Sequence, residues 1–327
     1  MSSSDEFVLS AARYGKDKVR VFRIVRDPAA GVHHVVEYNV KVLLEGDIET
    51  SYTQADNSVV VATDSMKNIV YYLAKISPHI LVPERFALHL GTHIVSKYAH
   101  IHKAFVTVEQ LRWSRIPINA DGSDGGEHPH SFIRDGEEKR VVKVEVDATK
   151  GKGKLVAKAS AGIVDLLVLK TTESAFTNFI RDKYTTLVEV DDRILSTAID
   201  LEYTFSPIEI ASPTDEAKEE FVVPTDISTG TLFDTSVPTR ARASTLRIFA
   251  TDNSASVQAT LHRMASAILA DNAAVTSVSY ALPNKHYIPV DMRYIGLENL
   301  KPSEAEVFTP VAAPSGLITA TVSRKTA

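Results

Sequence analysis

The chain of 327 residues contains no cysteine, which excludes disulfide scaffolds, thiolate zinc sites, iron–sulfur ligation and cysteine nucleophiles. It also lacks an excess of basic residues: 36 lysines and arginines stand against 41 aspartates and glutamates, for a formal net charge of −5. This balance does not indicate a nucleic-acid or anionic-membrane partner. No uncharged apolar run reaches the about 18 residues that a membrane span needs, and the first residues do not have the pattern of a secretory signal. We therefore expect a soluble globular protein of one or two domains.

Several common catalytic motifs are absent as well. The sequence has no glycine-rich dinucleotide motif, P-loop, Gly-x-Ser-x-Gly or His-Glu-x-x-His. The Gly-Lys-Gly-Lys run at 151–154 lacks the spacing of a phosphate loop, and we interpret it as a solvated turn. Histidines are paired at 33–34, at 100 and 102, and at 128 and 130, and two histidines on one strand face are a pattern found in cupin metal sites. Pro129 disfavours a central strand, so we favour hydrogen bonding or packing at an interface for His128 and His130.

The hydrophobic pattern alternates between strand and helix periods. Apolar and polar residues alternate over 36–44, and Gly31 marks a hairpin with a shorter strand around Val19 and Val21. Helical spacing follows from Met66, with Asp64 and Ser65 as predicted N-cap residues. The same reasoning predicts a helix over 86–98 that follows Pro83, a helix over 257–268, and strands over 104–118, 142–146, 155–170, 194–205 and 278–282.

The order of these elements indicates an α+β fold with an internal repeat. Helices are grouped between pairs of strands, which favours antiparallel sheets over a parallel βαβ arrangement. The second half follows a similar order, and Thr63-Asp64-Ser65 resembles Thr251-Asp252-Asn253-Ser254, so we predict two copies of one unit. The Gly/Lys run supplies a boundary between domains at 1–150 and 151–327. We predict that the proline-containing stretch 206–239 is a surface excursion.

Short motifs along the chain occur in the order typical of one family. They are Tyr14–Asp17, Val61–Ser65, His130–Asp135, Glu137–Arg140, Arg181–Leu187, Asp192–Thr197, Asp252–Gln258 and Leu282–Tyr287. At these points the sequence closely resembles the urate oxidase (uricase) family, and the resemblance extends from Tyr14 to about Ser323.

The resemblance implies a fold, a reaction and an assembly. Members of this family carry two tandem tunnelling-fold (T-fold) domains, which are antiparallel sheets with two helices on the outer face. They assemble as homotetramers that enclose a barrel-walled tunnel, with active sites where subunits meet. They oxidise urate with O2 and water to 5-hydroxyisourate and hydrogen peroxide, without a metal or an organic cofactor.

The resemblance also implies the site residues. Lys16, Thr63 and Asp64 would come from one subunit, and Lys16 would act as a base whose proton passes through Thr63 and His286. A partly buried lysine is a suitable base because burial disfavours its charged form. Asn284, with Thr63, would hold O2 and then water or peroxide above the ring. The residues expected from the neighbouring subunit are Phe176, Arg193, Val257, Gln258, Asn284 and His286.

The chemistry of these side chains suits urate, a flat anion with carbonyl and N–H edges. The guanidinium fork of Arg193 can bind a carbonyl and an adjacent ring nitrogen. Gln258 offers a donor and an acceptor side by side, and Phe176 can stack on the purine face. The backbone N–H groups of Val257 and Asp64 are further expected donors, since helix N-termini favour anions.

Other readings stay open for each residue and for the whole chain. Without the resemblance, Lys16 would be a solvated lysine, Thr63-Asp64 an N-cap and Asp192-Arg193 a surface ion pair. The chain could instead be another T-fold enzyme for a purine or a pterin, or a catalytically silent purine-binding homologue. Intact Lys16, Thr63 and His286 argue against a silent homologue. Since Lys325-Thr326-Ala327 is not a Ser-Lys-Leu-type peroxisomal signal, we expect a cytoplasmic location.

Overall fold

The computed structural model describes residues 7–210, 234–301 and 304–325. They form two compact units, of which the first comprises the described parts of Met1–Ala161 and Phe205–Thr235 and the second those of Gly162–Thr204 and Ser236–Ala327. The predicted boundary at 150/151 lies in the turn before strand β5 (Leu155–Lys170), whereas the division between the units lies within that strand. None of the described helices is long and apolar enough to cross a membrane.

The first unit is a sheet with helices packed on it. Its strand order is β1-β2-β3-β4-β5 with β7 beside β5, and the pairs β1–β2, β2–β3 and β3–β4 are antiparallel. Helix α2 contacts β1, and helix α3 contacts β3 and β4. Besides β5, the elements are β1 (Tyr14–Asp27), β2 (Val32–Gly46), α1 (Glu49–Thr53), a 3-10 turn (Asn57–Val59), α2 (Thr63–Ile76), α3 (Pro83–Lys97), β3 (Ile101–Arg115), β4 (Phe132–Asp147) and β7 (Ile208–Ile210).

The core of the first unit lies between α3 and the sheet. The alternating residues of β2 predicted to be buried are buried, and the ring of Tyr38 stacks on Phe86 of α3 with 5.8 Å between centroids. The Tyr38 hydroxyl donates to the carbonyl of Ile80 at 2.5 Å, so this buried phenol is satisfied. Gly91 allows α3 to approach closely, because a Cβ there would lie 2.8 Å from Val146 Cγ2.

The second unit has the same kind of architecture. Its strand order is β5-β6-β8-β10 with β9 beside β8, and α5 contacts both β8 and β10. A buried hydrogen bond of 2.6 Å joins the hydroxyls of Thr245 and Tyr280. The elements after β5 are β6 (Leu195–Phe205), α4 (Val237–Thr251), α5 (Val257–Asp271), β8 (Val275–Pro289), a 3-10 turn (Arg293–Ile295), β9 (Phe308–Val311) and β10 (Leu317–Ser323).

The predicted α+β class and the strands and helices named from the pattern are confirmed, with three corrections. Helix α2 begins at Thr63 with Ala62 as its N-cap, so Asp64 and Ser65 lie in the first turn and do not cap it. Helix α4 was not predicted, and Thr251 ends this helix instead of opening the next one. The predicted excursion over 206–239 begins with β7 and ends inside α4; its residues 211–233 lie outside the described part.

Each unit contains the same strand irregularity, which supports the predicted repeat. A Cβ at Gly15 in β1 would lie 1.8 Å from Val42 O, and a Cβ at Gly162 in β5 would lie 1.8 Å from Leu201 O. Three residues after each glycine, Lys18 and Asp165 adopt positive φ angles of 55° and 61°. Only glycine permits so close an approach to the neighbouring strand. The two units therefore share one local backbone design.

Helix α3 in the first unit and helix α5 in the second unit both end beside a basic side chain that binds three backbone carbonyls. Lys152 Nζ donates to the carbonyls of residues 95, 98 and 101, at 2.7 Å for Val95 O. The Arg324 guanidinium donates to the carbonyls of residues 269, 272 and 275, at 2.8 Å for Val275 O. Each cation thus binds a carbonyl of the last helical turn, the carbonyl of the C-cap residue and that of the first residue of the next strand. The predicted solvated turn at 151–154 is thus wrong for Lys152, whose pKa is lowered by burial.

The Lys152 cap predicts a measurable effect on stability. We expect Lys152→Met to lower the free energy of unfolding by about 1–3 kcal/mol, because three carbonyls lose their donor. Lys154→Met is the matched control, since Lys154 is exposed two residues further along the same turn. Urea denaturation of both variants checks the prediction, and equal losses would contradict the capping role.

Candidate functional site

Lys16, Thr63 and Asp64 all lie in the first unit, and we call them the lysine half-site. Lys16 is on β1 at the point where the pairing with β2 shifts, between Lys16 and Val19. Such bulges reorient the side chains beside them and are frequent next to active sites. The close approach of Gly15 to β2 fixes the strand immediately before Lys16.

The other two residues of the lysine half-site open helix α2. The Asp64 carboxylate accepts from Lys67 Nζ at 2.5 Å and from Asn68 Nδ2 at 3.0 Å. The pKa of Asp64 is lowered first by the hydrogen bond from Lys67, and the charge of Lys16 contributes to the shift. Lys16 is therefore within electrostatic reach of the start of α2. The N-cap, Ala62, has no side-chain oxygen, so the first-turn N–H groups receive no side-chain cap there.

The remaining predicted site residues lie in the second unit, and we call them the arginine half-site: Phe176, Arg193, Val257, Gln258, Asn284 and His286. Backbone hydrogen bonds connect the segments that carry them. Phe176 exchanges two with Val190, at 2.8 and 3.1 Å. Ser254 donates to Glu173 O and accepts from Ala175 N, both at 2.9 Å. These bonds join the Phe176 segment to the segment that leads into α5.

Arg193 and Phe176 form the best-defined pair of the arginine half-site. Arg193 Cζ lies 5.1 Å from the Phe176 ring centroid, and Phe176 stacks on Phe179 with 4.8 Å between centroids. The guanidinium is half-buried, its buried Nε has no hydrogen-bond partner among the described residues, and burial lowers the pKa of Arg193. A buried guanidinium N–H without a partner favours binding of an acceptor or an anion.

The N-terminus of α5 supplies further polar groups. Ser256 is the N-cap and accepts from Ala259 N at 3.4 Å, while its hydroxyl donates to Gln258 Oε1 at 3.0 Å. This bond orients the carboxamide of Gln258. The N–H groups of Val257 and Gln258 belong to the first turn, where the helix dipole favours an anion.

Asn284 and His286 are two residues apart on β8 and so project from the same face of the strand. Asn284 N donates to Gly316 O at 2.8 Å, while its side-chain Oδ1 is buried and has no hydrogen-bond partner within the ranges that the structure describes. His286 is exposed on the same strand. An amide and an imidazole therefore share one side of β8.

Polar residues that were not predicted as site residues hold the arginine half-site together. Asp192 accepts from Thr172 Oγ1 at 2.7 Å and from Ser174 N at 3.4 Å, and the first of these bonds is the main cause of its lowered pKa. The Thr260 hydroxyl contacts Asp252 Oδ2 at 2.6 Å and Ser254 Oγ at 2.8 Å. Asp192 and Asp252 lie inside the sequence motifs, but only the fold shows which groups they bind.

The histidine pairs do not assemble a metal site. In the described ranges no group of three or more histidines and carboxylates is placed to hold an ion. The rings of His128 and His130 meet edge-on at 4.6 Å, and His33 lies 6.0 Å from His130. His102 Nε2 is 3.0 Å from Asp47. His130 N donates to His128 Nδ1 at 3.4 Å, whereas the expected packing of His128 and His130 at an interface stays a prediction.

Comparison with known proteins identifies the family. The uricase family model matches residues 12–145 and 159–319. The chain belongs to the uricase family. It is 49% identical to a uricase from Aspergillus flavus over 317 residues, which are 97% of each chain. It is 41% identical to a uricase from Schizosaccharomyces pombe over 98% of this chain and 100% of that one.

A solved uricase also shares the fold. The crystal structure of the uricase from Arthrobacter globiformis superposes with a TM-score of 0.80 at 31% identity, covering 98% of this chain and 96% of that one. The expected T-fold architecture of two similar units is thus confirmed for this chain. The roles of the individual site residues stay predictions.

The polar framework of the arginine half-site gives a second stability prediction. We expect Thr260→Val to lower the free energy of unfolding by about 1–3 kcal/mol, because the buried Asp252 and Ser254 side chains lose a partner. Thr251→Val is the control, since the exposed Thr251 hydroxyl bonds only the carbonyl of Arg247 in its own helix. Guanidinium denaturation measures the free energy of unfolding of both variants. An equal decrease in the two would show that the Thr260 hydroxyl has no special role.

Proposed function

We propose that this chain oxidises urate with O2 and water to 5-hydroxyisourate and hydrogen peroxide, with no metal or organic cofactor. One observation carries the proposal: in a member of the uricase family, Arg193 presents beside the ring of Phe176 a buried Nε that has no hydrogen-bond partner in the described part of the chain. This pair suits a flat anion with acceptor atoms on its edge. Membership of the family supplies the identity of that anion.

Binding in this proposal uses the arginine half-site. The guanidinium of Arg193 binds a urate carbonyl and the adjacent ring nitrogen, and Phe176 stacks on the ring. Gln258, oriented by Ser256, pairs with the opposite edge through its Oε1 and Nε2. The N–H of Val257 is a further donor at a positive helix end. The half-site thus recognises urate by shape, charge and hydrogen bonding.

Chemistry in this proposal uses the lysine half-site together with Asn284 and His286 of the neighbouring subunit's arginine half-site. Urate must supply two electrons to O2, and removal of a second proton makes it a better donor. Lys16 accepts that proton, and the Thr63 hydroxyl and His286 relay it towards the reduced oxygen. Asn284 and Thr63 hold O2 and later water above the ring. Addition of water at the oxidised carbon then gives 5-hydroxyisourate, while O2 leaves as hydrogen peroxide.

We further propose that the active enzyme is a homotetramer in which the lysine half-site of one subunit completes the arginine half-site of a neighbour. Two observations support association. In the second unit, Ile180, Tyr184 and Val188 are 94%, 78% and 71% exposed, and such exposed apolar surface is typical of an interface. In the first unit, β1 pairs only with β2 among the described residues, so its other edge is open to another strand. The expected cytoplasmic location stays a prediction.

The direct test is a urate oxidation assay on the purified full chain. We expect loss of urate absorbance with equal amounts of O2 consumed and peroxide formed, and no effect of prior chelation. Another T-fold purine or pterin enzyme would leave urate unchanged but turn over a different heterocycle. A silent homologue would bind urate without consuming O2. Either result would overturn the proposal.

The base role predicts a specific loss on substitution of Lys16. We expect Lys16→Met to lower kcat by at least about a hundredfold, since general base catalysis contributes that much, while KM for urate changes by less than about threefold. Lys18→Met is the control, because Lys18 is exposed two residues further along β1. Steady-state kinetics test this prediction. A decrease in kcat accompanied by an equal increase in KM would contradict the role of Lys16 as a base.

The binding role predicts the opposite pattern for Arg193. We expect Arg193→Lys to raise KM for urate by about ten- to a hundredfold, because a lysine cannot make the paired contact of the guanidinium fork, with little change in kcat. Arg26→Lys, at an exposed position of β1, controls for the loss of a guanidinium. An unchanged KM would contradict the fork contact.

A further inference from the structure

Tyr14 connects the strand of Lys16 to the start of helix α2. Its hydroxyl oxygen accepts a hydrogen bond of 2.7 Å from the backbone N–H of Val61. Tyr14 is two residues before Lys16 on β1, and Val61 is two residues before Thr63. The bond therefore joins the two segments that carry the lysine half-site, although they are far apart in sequence.

Other contacts fix both segments on either side of this bond. On the strand, Gly15 lies so close to β2 that a Cβ there would be 1.8 Å from Val42 O, which leaves no room for movement towards β2. In the connection to α2, Val60 N donates to Asn57 O at 3.1 Å, and the Val61 side chain is 6% exposed. The Tyr14 hydroxyl is the acceptor for the Val61 N–H between these anchors. Loss of this hydroxyl would leave the Val61 N–H without its acceptor and would loosen the chain where it enters α2.

We propose that Tyr14 is a positioning residue that sets the placement of the Thr63 hydroxyl relative to Lys16. The inference rests on the proposed function, because it assigns Tyr14 a purpose in the transfer of a proton between those two groups. Burial raises the pKa of Tyr14, so the side chain stays a neutral phenol over the working range of pH. A rigid ring between two backbone segments is a suitable spacer, since small displacements of catalytic groups are costly in rate.

The proposal makes a distinctive kinetic prediction because Tyr14 supports Lys16 and Thr63, whereas Arg193, Phe176 and Gln258 are proposed to bind urate. We expect Tyr14→Phe to lower kcat by about tenfold and to leave KM for urate within about twofold of the parent. In a Thr63→Ala background, the same substitution should cause almost no further loss, since its effect acts through Thr63. If Tyr14 served only stability, Tyr14→Phe would lower the free energy of unfolding, and its effect on kcat would be the same with and without the Thr63 hydroxyl.

The matched control is Tyr52→Phe. The Tyr52 hydroxyl donates to Arg13 O at 3.4 Å and interacts electrostatically with Tyr14, whereas the Val61 N–H is bound by the Tyr14 hydroxyl. We expect this variant to keep the parent kcat and KM. Equal losses in the two variants, an unchanged kcat in Tyr14→Phe, or the same loss in the presence and absence of Thr63 would each overturn the proposal.

Hydrogen exchange of the Val61 amide tests the bond without reference to activity. In the unsubstituted protein, mass spectrometry at single-residue resolution should show Val61 more protected than Ser58, an exposed residue whose N–H donates to Asp56 Oδ1 at 2.9 Å. An unprotected Val61 would overturn the proposal even if Tyr14→Phe does not fold. If the unsubstituted chain fails to oxidise urate, the proposed function fails, and the exchange result still decides whether Tyr14 holds the segment.

Discussion

The close approach of two backbones at Gly15 is the constraint on which the lysine half-site depends. A side chain there would collide with Val42 O at 1.8 Å, so the sequence must place glycine where β1 begins to shift its register. The shift turns the strand at Lys16 and puts its charge near Asp64, at the start of α2. Tyr14, before the same glycine, holds the entry to that helix. The base and the hydroxyl proposed to act together are thus placed by three consecutive residues of one strand.

The same close approach of two backbones occurs in the second unit, but no lysine follows its glycine. Gly162 approaches Leu201 O as Gly15 approaches Val42 O, but the residue that follows it is Ile163, which is 6% exposed. Strand β5 thus has the same close approach as β1 but carries an apolar residue at the position that follows the glycine. In this unit the polar groups gather instead around Arg193 and the first turn of α5. The two units thus differ more in the polar side chains they carry than in fold, which suits the proposed contribution of Lys16 from one unit and of Arg193 from the other.

Periodicity predicted the regular elements well, because β2 and the other buried strands alternate strictly and α2, α3 and α5 carry clear apolar faces. It missed α4, whose residues Val237–Thr251 include three arginines and follow a proline-containing stretch. It also misplaced the N-cap of α2, since Asp64 and Ser65 are strong caps by type whereas the observed cap, Ala62, is a weak one. The site residues came from motif resemblance, and the supporting contacts of Asp192, Thr260 and Tyr14 are long-range pairings that only the fold defines.

The central claim is that the lysine half-site and the arginine half-site work together across subunits. Co-expression of chains carrying Lys16→Met with chains carrying Arg193→Ala tests it most directly, because each variant alone lacks one half. Random assembly into tetramers gives about a quarter of the sites both intact halves. We predict recovery of about a quarter of the parental urate oxidation rate in the mixed tetramers. A mixture no more active than the two separate variants would contradict the claim, since it would place both halves of each site in a single chain.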